Sequence, residues 1–207
     1  PSIGIAISPR DGQSIDELTK CADAAMYSAK KAGRGQYRFF DQSLNVSDVE
    51  EFHLEQAFVE ALKNREFVLH YQPQVCLEAM EIIGYEALVR WQHPGFGLLY
   101  PDRFIPVAEK TGFVVALGME VVRLACAQIS DWQQKHGISK PVAVNVSPIQ
   151  LAQPGFCKDV LATLADYGLT TDLLELEITE TAMLEGRAVE SLHCLKAAGI
   201  RLSLDDF

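Results

Sequence analysis

Val142-Ala143-Val144-Asn145-Val146, Leu173-Leu174-Glu175-Leu176-Glu177-Ile178 and Ile200-Arg201-Leu202-Ser203-Leu204-Asp205-Asp206 decide the architecture of this 207-residue chain. Each is a short apolar run, of strand length rather than helix length. Helical runs separate them, at 156–167 and at 188–198, the second ended by Gly199. Upstream lie helical runs near 104–110 and 117–136. Before those come strand-like 67–71 and 85–91, joined by a connection containing Pro73 and Gly84. Apart from the first pair, strands and helices alternate at lengths suited to right-handed crossovers, which predicts an α/β fold with a mostly parallel sheet of five strands. An open doubly wound sheet and an interrupted (β/α)₈ barrel both satisfy the pattern.

The beginning of the chain reads differently. Residues 2–8 alternate with Ile3, Ile5 and Ile7 on one side, a half-buried strand. Ser14-Ile15-Asp16-Glu17 is a capping box, followed at helical spacing by Leu18, Cys21, Ala22, Ala25 and Ala29 until Gly33. A strand at 36–40 closes this segment. One helix and two strands are too little to bury a core, so this is expected to be the tail of a domain. Residues 1–41 carry 6 basic and 5 acidic side chains; residues 42–207 carry 12 and 23. That shift puts a boundary near 41–47, followed by a second capping box, Ser47 with Glu50. Phe52, Ala57, Phe58, Ala61 and Leu62 then line one helical face. The chain opens at Pro1 and stops inside an apolar strand at Phe207, so we expect a segment of a longer protein.

Composition narrows the function. The net charge of −10 argues against broad binding to a nucleic-acid polymer, whose phosphates it repels. Hydrophobic residues at 48% support a packed core, and the longest apolar stretch is far short of a membrane span. A soluble segment is expected. The five cysteines lie at least 31 residues apart, with no Cys-x-x-Cys, and are expected to be reduced thiols.

The informative feature is where polar groups fall on buried strands. Asn145, Glu177, Asp205 and Asp206 sit at strand ends and Glu86 lies within a strand. An ionised carboxylate in a sheet covered on both faces costs several kcal/mol unless compensated. Arg90 is the one basic partner close in sequence. Oxygen ligands without cysteine or paired histidines favour Mg²⁺ or Mn²⁺. Glu86, Asn145, Glu177, Asp205 and Asp206 together suit two ions about 4 Å apart, set for in-line attack on a phosphodiester. The plainer reading of each residue is a solvated cap at a strand end.

The motifs then converge. They are Tyr71-Gln72-Pro73, the run Gly84-Tyr85-Glu86-Ala87-Leu88-Val89-Arg90-Trp91-Gln92-His93-Pro94, Pro101, Phe104-Ile105-Pro106-Val107-Ala108-Glu109, Asn145-Val146-Ser147, Glu177-Ile178-Thr179-Glu180 and Asp205-Asp206-Phe207. Across about 54–207 the chain resembles the EAL domain, a cyclic di-GMP phosphodiesterase module. Residues 1–41 resemble the closing segment of a GGDEF (diguanylate cyclase) domain, through Ala22-Asp23-Ala24-Ala25-Met26-Tyr27 and Gly33-Arg34-Gly35, with 42–53 as linker and start of a linking helix.

The resemblance implies an incomplete TIM-like (β/α) barrel, preceded by a GGDEF remnant, that hydrolyses cyclic di-GMP to pGpG with Mg²⁺ or Mn²⁺. It implies metal ligands at Glu86, Asn145, Glu177, Asp205 and Asp206, and Glu180 as the anchor of the loop that positions the aspartates. It implies substrate contacts from Arg90, whose guanidinium suits a phosphate, and from Gln72. His53, His70, His93, His136 and His193 share no ligand spacing, and Trp91 and Phe104 read as packing residues. The family's catalytic lysine and its later glutamate and glutamine fall beyond Phe207, so no turnover is expected from this chain alone. The Gly-Gly-acid-Glu-Phe cyclase signature does not occur in it. The alternative function is a non-catalytic cyclic di-GMP receptor or protein-interaction module. A cytoplasmic location is expected, with any membrane tether or homodimer contact belonging to the longer protein.

Overall fold

The computed structural model describes residues 1–41, 46–179 and 188–205; for Lys31, residues 46–49 and Asp205 only the backbone is described. The chain divides into two compact units, Pro1–Phe58 and Val59–Phe207. In the first, β1 (Ile3–Ile5) pairs in parallel with β2 (Tyr37–Phe39), and α1 (Ile15–Lys31) packs against both. The capping box forms as expected: Glu17 N–H donates to Ser14 Oγ at 3.2 Å, and Ser14 N–H donates to the Glu17 carboxylate at 3.3 Å. Ala24, Ala25 and Ala29 are buried on the α1 face. The first strand is shorter than 2–8, and Ile3 and Ile7 stay exposed. Helix α2 spans Val46–Lys63, and the Ser47 side chain of the second expected capping box lies outside the described residues.

The second unit is built on a six-stranded sheet. Its strands are β3 (Phe67–Cys76), β4 (Glu81–His93), β5 (Gly97–Leu99), β6 (Val142–Val146), β7 (Leu174–Thr179) and β8 (Arg201–Asp205). The order is β3-β4-β6-β7-β8, with β5 also paired to β4. Contacts from β4 through β6 and β7 to β8 are parallel, as the alternation of elements requires. Helices α3 (Pro101–Thr111), α4 (Val114–His136), α5 (Pro148–Leu151), α6 (Phe156–Asp166) and α7 (Val189–Ala197) make the connections.

Two expectations change here. Pro73 and Gly84 do not sit in a connection; they lie inside a long antiparallel hairpin, paired as Pro73↔Tyr85 and Gln74↔Gly84. Strand β3 is an edge, where a residue lacking an N–H removes no ladder bond on its open side. A Cβ on Gly84 would stand 3.0 Å from Gln74 Oε1 and 3.1 Å from the Pro141 carbonyl, so glycine is what lets the strands close there. The short β5 was also not legible, because three residues carry too little pattern to read.

Alternation along the strands separates two faces. Val142, Val144, Leu174, Leu176 and Ile178 are buried on one face. Tyr71 and Tyr85 share it by register, and both rings meet Trp132 of α4, at 4.9 and 4.8 Å. Burial raises the Tyr71 phenol well above its ordinary pKa. Trp91 and Phe104 are fully buried, as expected of packing residues. The Trp91 ring lies 5.1 Å from Phe67 and 5.8 Å from Phe104.

The expectation of five reduced thiols is corrected: Cys157 of α6 and Cys194 of α7 form a disulfide across 37 residues of sequence. Packing of α6 on α7 brings the two together, a proximity that spacing along the chain does not encode. Cys21, Cys76 and Cys126 are free, and burial pushes the Cys126 thiol up to about 12, so it stays protonated. Releasing a loop of this size should cost about 3–4 kcal/mol in the chain-entropy account. We therefore expect Cys157→Ser, or reduction of the wild type, to lower the thermal midpoint by roughly 10 °C. An unchanged melting curve by circular dichroism would contradict a formed bridge.

Candidate active site

The sheet face opposite Val144 and Leu176 carries the polar residues. Register aligns Gln72 with Glu86 across β3 and β4, and Glu86 with Ala143 across β4 and β6. One layer higher it aligns Asn145 with Glu177, and Glu177 with Ser203. Thr179 and Asp205 form the layer above that. Because partners in a ladder share a face, Gln72, Glu86, Asn145, Glu177 and Asp205 all belong to this one face.

Side chains confirm part of the convergence. Asn145 Nδ2 donates to Glu86 Oε1 at 3.0 Å, although the two residues are 59 apart in sequence. Glu177 is half-buried, with its Oε2 shielded from solvent. Gln72 is exposed. Glu180 and Asp206 lie outside the described residues, as does the side chain of Asp205. Among the described residues no group of three or more His, Cys, Asp or Glu side chains is close enough to hold a metal ion by itself. The described set that could contribute to such a centre is Glu86 and Glu177 with the Asn145 amide between them.

Arg90 follows Glu86 by four positions, so alternation gives it the same face. Its Nη1 donates to the Val89 carbonyl at 2.8 Å, and its guanidinium stacks 4.8 Å from the ring centre of Tyr100. The Arg90 Nε is buried and has no hydrogen-bond acceptor among the described residues. Such a donor is suited to an anionic ligand. Tyr100 immediately precedes α3, and sequence reading gave it no role.

Two further residues were quoted within motifs but given no task. Ser147, directly after β6, caps α5, and its Oγ donates to Glu109 Oε1 of α3 at 2.6 Å. The Ser147 N–H donates to Gln150 Oε1 at 3.1 Å. Ser147-Pro148-Ile149-Gln150 is a capping-box pattern, a signal available in the sequence. Gln150 is 3% exposed and its amide lies directly against Gly118 of α4, where a Cβ would collide with it. A cavity of about 450 Å³ adjoins these groups, lined among others by Glu109, Gly118, Asn145, Ser147, Gln150 and Glu177.

Comparison with known proteins assigns both parts of the chain to families. Residues 1–36 match the diguanylate cyclase, GGDEF domain, and residues 55–207 match the EAL domain. The bifunctional diguanylate cyclase/cyclic di-GMP phosphodiesterase MucR of Pseudomonas aeruginosa is 44% identical over 208 residues, covering 100% of this chain and 30% of that protein. Cyclic di-GMP phosphodiesterase PdeR of Escherichia coli is 36% identical, covering 100% of this chain and 31% of that protein. The chain thus spans between a quarter and a third of the length of such relatives. The solved structure of the PaMucR phosphodiesterase in complex with c-di-GMP superposes with a TM-score of 0.69 at 39% identity, over 75% of this chain and 64% of that one. The match over residues 55–207, with the parallel-strand sheet and its structural likeness, shows that this chain belongs to the EAL domain family.

Proposed function

We propose that the protein carrying this chain hydrolyses cyclic di-GMP to linear pGpG in a Mg²⁺- or Mn²⁺-dependent reaction. The single observation that carries the reading is the shared face of Glu86, Asn145 and Glu177, with Asn145 and Glu86 already 3.0 Å apart. The donor chemistry fits a hard divalent ion: two carboxylates and an amide oxygen, with no thiol or imidazole in the set. Glu86, Asn145 and Glu177 would hold the ions together with Asp205 and Asp206. Bound there, the ions supply Lewis-acid polarisation of a phosphodiester. Arg90 binds a substrate phosphate, its guanidinium plane held by the Tyr100 ring. Gln72, opposite Glu86 on the neighbouring strand, contacts the nucleotide, and Glu180 anchors the loop that positions the aspartates.

On this reading residues 1–41 are the GGDEF portion, 42–53 the connection and 54–207 the barrel-forming EAL portion. We place the module in the cytoplasm, with the homodimer as the assembly to test. No helix of the described residues is long and apolar enough to cross a membrane.

The test is chromatography of cyclic di-GMP incubated with the full-length gene product and Mn²⁺. Conversion to pGpG that stops on chelation is expected. Nucleotide retained without product would overturn the hydrolase and leave a receptor.

A further inference from the structure

The metal face has a support that the motifs do not explain. Asn145 is the next-to-last residue of β6, and its amide must be held beside Glu86 and Glu177. Two residues on, Ser147 makes three hydrogen bonds through its N–H and its hydroxyl. Its N–H donates to Gln150 Oε1, its Oγ accepts from Ile149 N–H at 3.4 Å, and its hydroxyl proton goes to Glu109 Oε1 at 2.6 Å. The first two cap α5 and are local. The third ties the end of β6 to α3, 38 residues away in sequence. At 2.6 Å, this O–H···O bond to a carboxylate oxygen is at the short end of its class. The cap needs only the Ser147 lone pair and backbone, so Glu109 is not required to form α5.

Helix α3 therefore touches the site at both ends. Tyr100, just before its first turn, lies against Arg90, and Glu109, in its last turn, grips the segment following Asn145. Gly112 ends the helix at φ +77°, directly after that turn. We propose that Glu109 is a positioning residue for the metal centre: through Ser147 it fixes the end of β6, and so the Asn145 amide, in register with Glu86 and Glu177. This rests on the metal-dependent reading above. Outer-shell partners of metal ligands commonly contribute 10- to 100-fold to affinity by this kind of orientation.

The experiment is a Mn²⁺ titration of the 207-residue chain followed by electron paramagnetic resonance of the free ion. Glu109→Ala should weaken Mn²⁺ binding by about 10- to 100-fold, while Glu109→Gln, whose amide oxygen still accepts from the Ser147 hydroxyl, should stay within about threefold of wild type. Ser147→Ala removes the same bond from the other side and should show a similar loss, which keeps the test open if Glu109→Ala fails to fold. Wild-type affinity in Glu109→Ala, or equal losses in the Gln and Ala variants, overturns the role assigned to this hydrogen bond. Glu86→Ala separates the two levels: wild-type affinity there sinks the metal reading itself, whereas loss there with an unaffected Glu109→Ala sinks only the positioning role.

Discussion

Glu86→Ala should remove Mn²⁺ binding from the chain and cyclic di-GMP hydrolysis from the protein that carries it, with losses beyond about 100-fold. That figure is a lower bound, because partners that merely orient a metal ligand already contribute 10- to 100-fold. On the metal reading Glu86 is itself a ligand rather than an orienting partner; it is one of the described carboxylates on the polar face, and the Asn145 amide is already within hydrogen-bonding distance of it. Removing it takes one carboxylate from the proposed ligand set and leaves Asn145 and Glu177 of the three described members. The fold should tolerate the change. Glu86 is half-buried and its strand is fixed by pairing with β3, β5 and β6, so surface-like effects within about 0.5 kcal/mol are expected. Titration calorimetry with Mn²⁺ and a thermal melt on the same sample separate the two outcomes. Retained metal affinity with an unchanged melt would end the assignment of Glu86 as a ligand.

The second large effect is on stability. Trp91→Ala should destabilise the unit Val59–Phe207 by about 3–5 kcal/mol, the range for deleting a large aromatic from a packed core. Trp91 is 0% exposed and sits where β4, α3 and the start of β3 meet, against Phe67, Phe104 and His93. Its Nε1 donates to Glu66 Oε2 at 2.9 Å, so the substitution also strips an acceptor of its donor. For a unit of this size that corresponds to a fall of roughly 10 °C in the thermal midpoint. Trp91→Phe keeps most of the ring volume and should lose less than half as much in a denaturant titration. A loss below about 1 kcal/mol for the alanine variant would contradict the central place of Trp91 in the core.

The two substitutions probe opposite faces of the same strand. Glu86 and Trp91 are five residues apart, so alternation sends their side chains to opposite sides of β4. One should lose chemistry while keeping the fold; the other should lose the fold first.

Much of this arrangement was legible in the order of residues. Period-2 and period-3.6 patterning located β6, β7, β8, α6 and α7 to within a residue or two, because strands covered by helices must be apolar and their connections must be amphipathic. Polar residues interrupting those runs named Glu86, Asn145 and Glu177 before any geometry, since a carboxylate in such a strand demands a compensating partner. Other features depended on three dimensions. Pro73 and Gly84 read locally as breakers, yet the register of the hairpin absorbs them at an edge and at a close approach. The Cys157–Cys194 bridge, the stacking of Arg90 on Tyr100 and the hydrogen bond from Ser147 to Glu109 join residues distant in sequence or on different elements. Local propensity and periodicity act over a few residues and so are written along the chain. Which side chains meet across elements depends on register and helix packing, and these are settled only when the whole sheet is assembled.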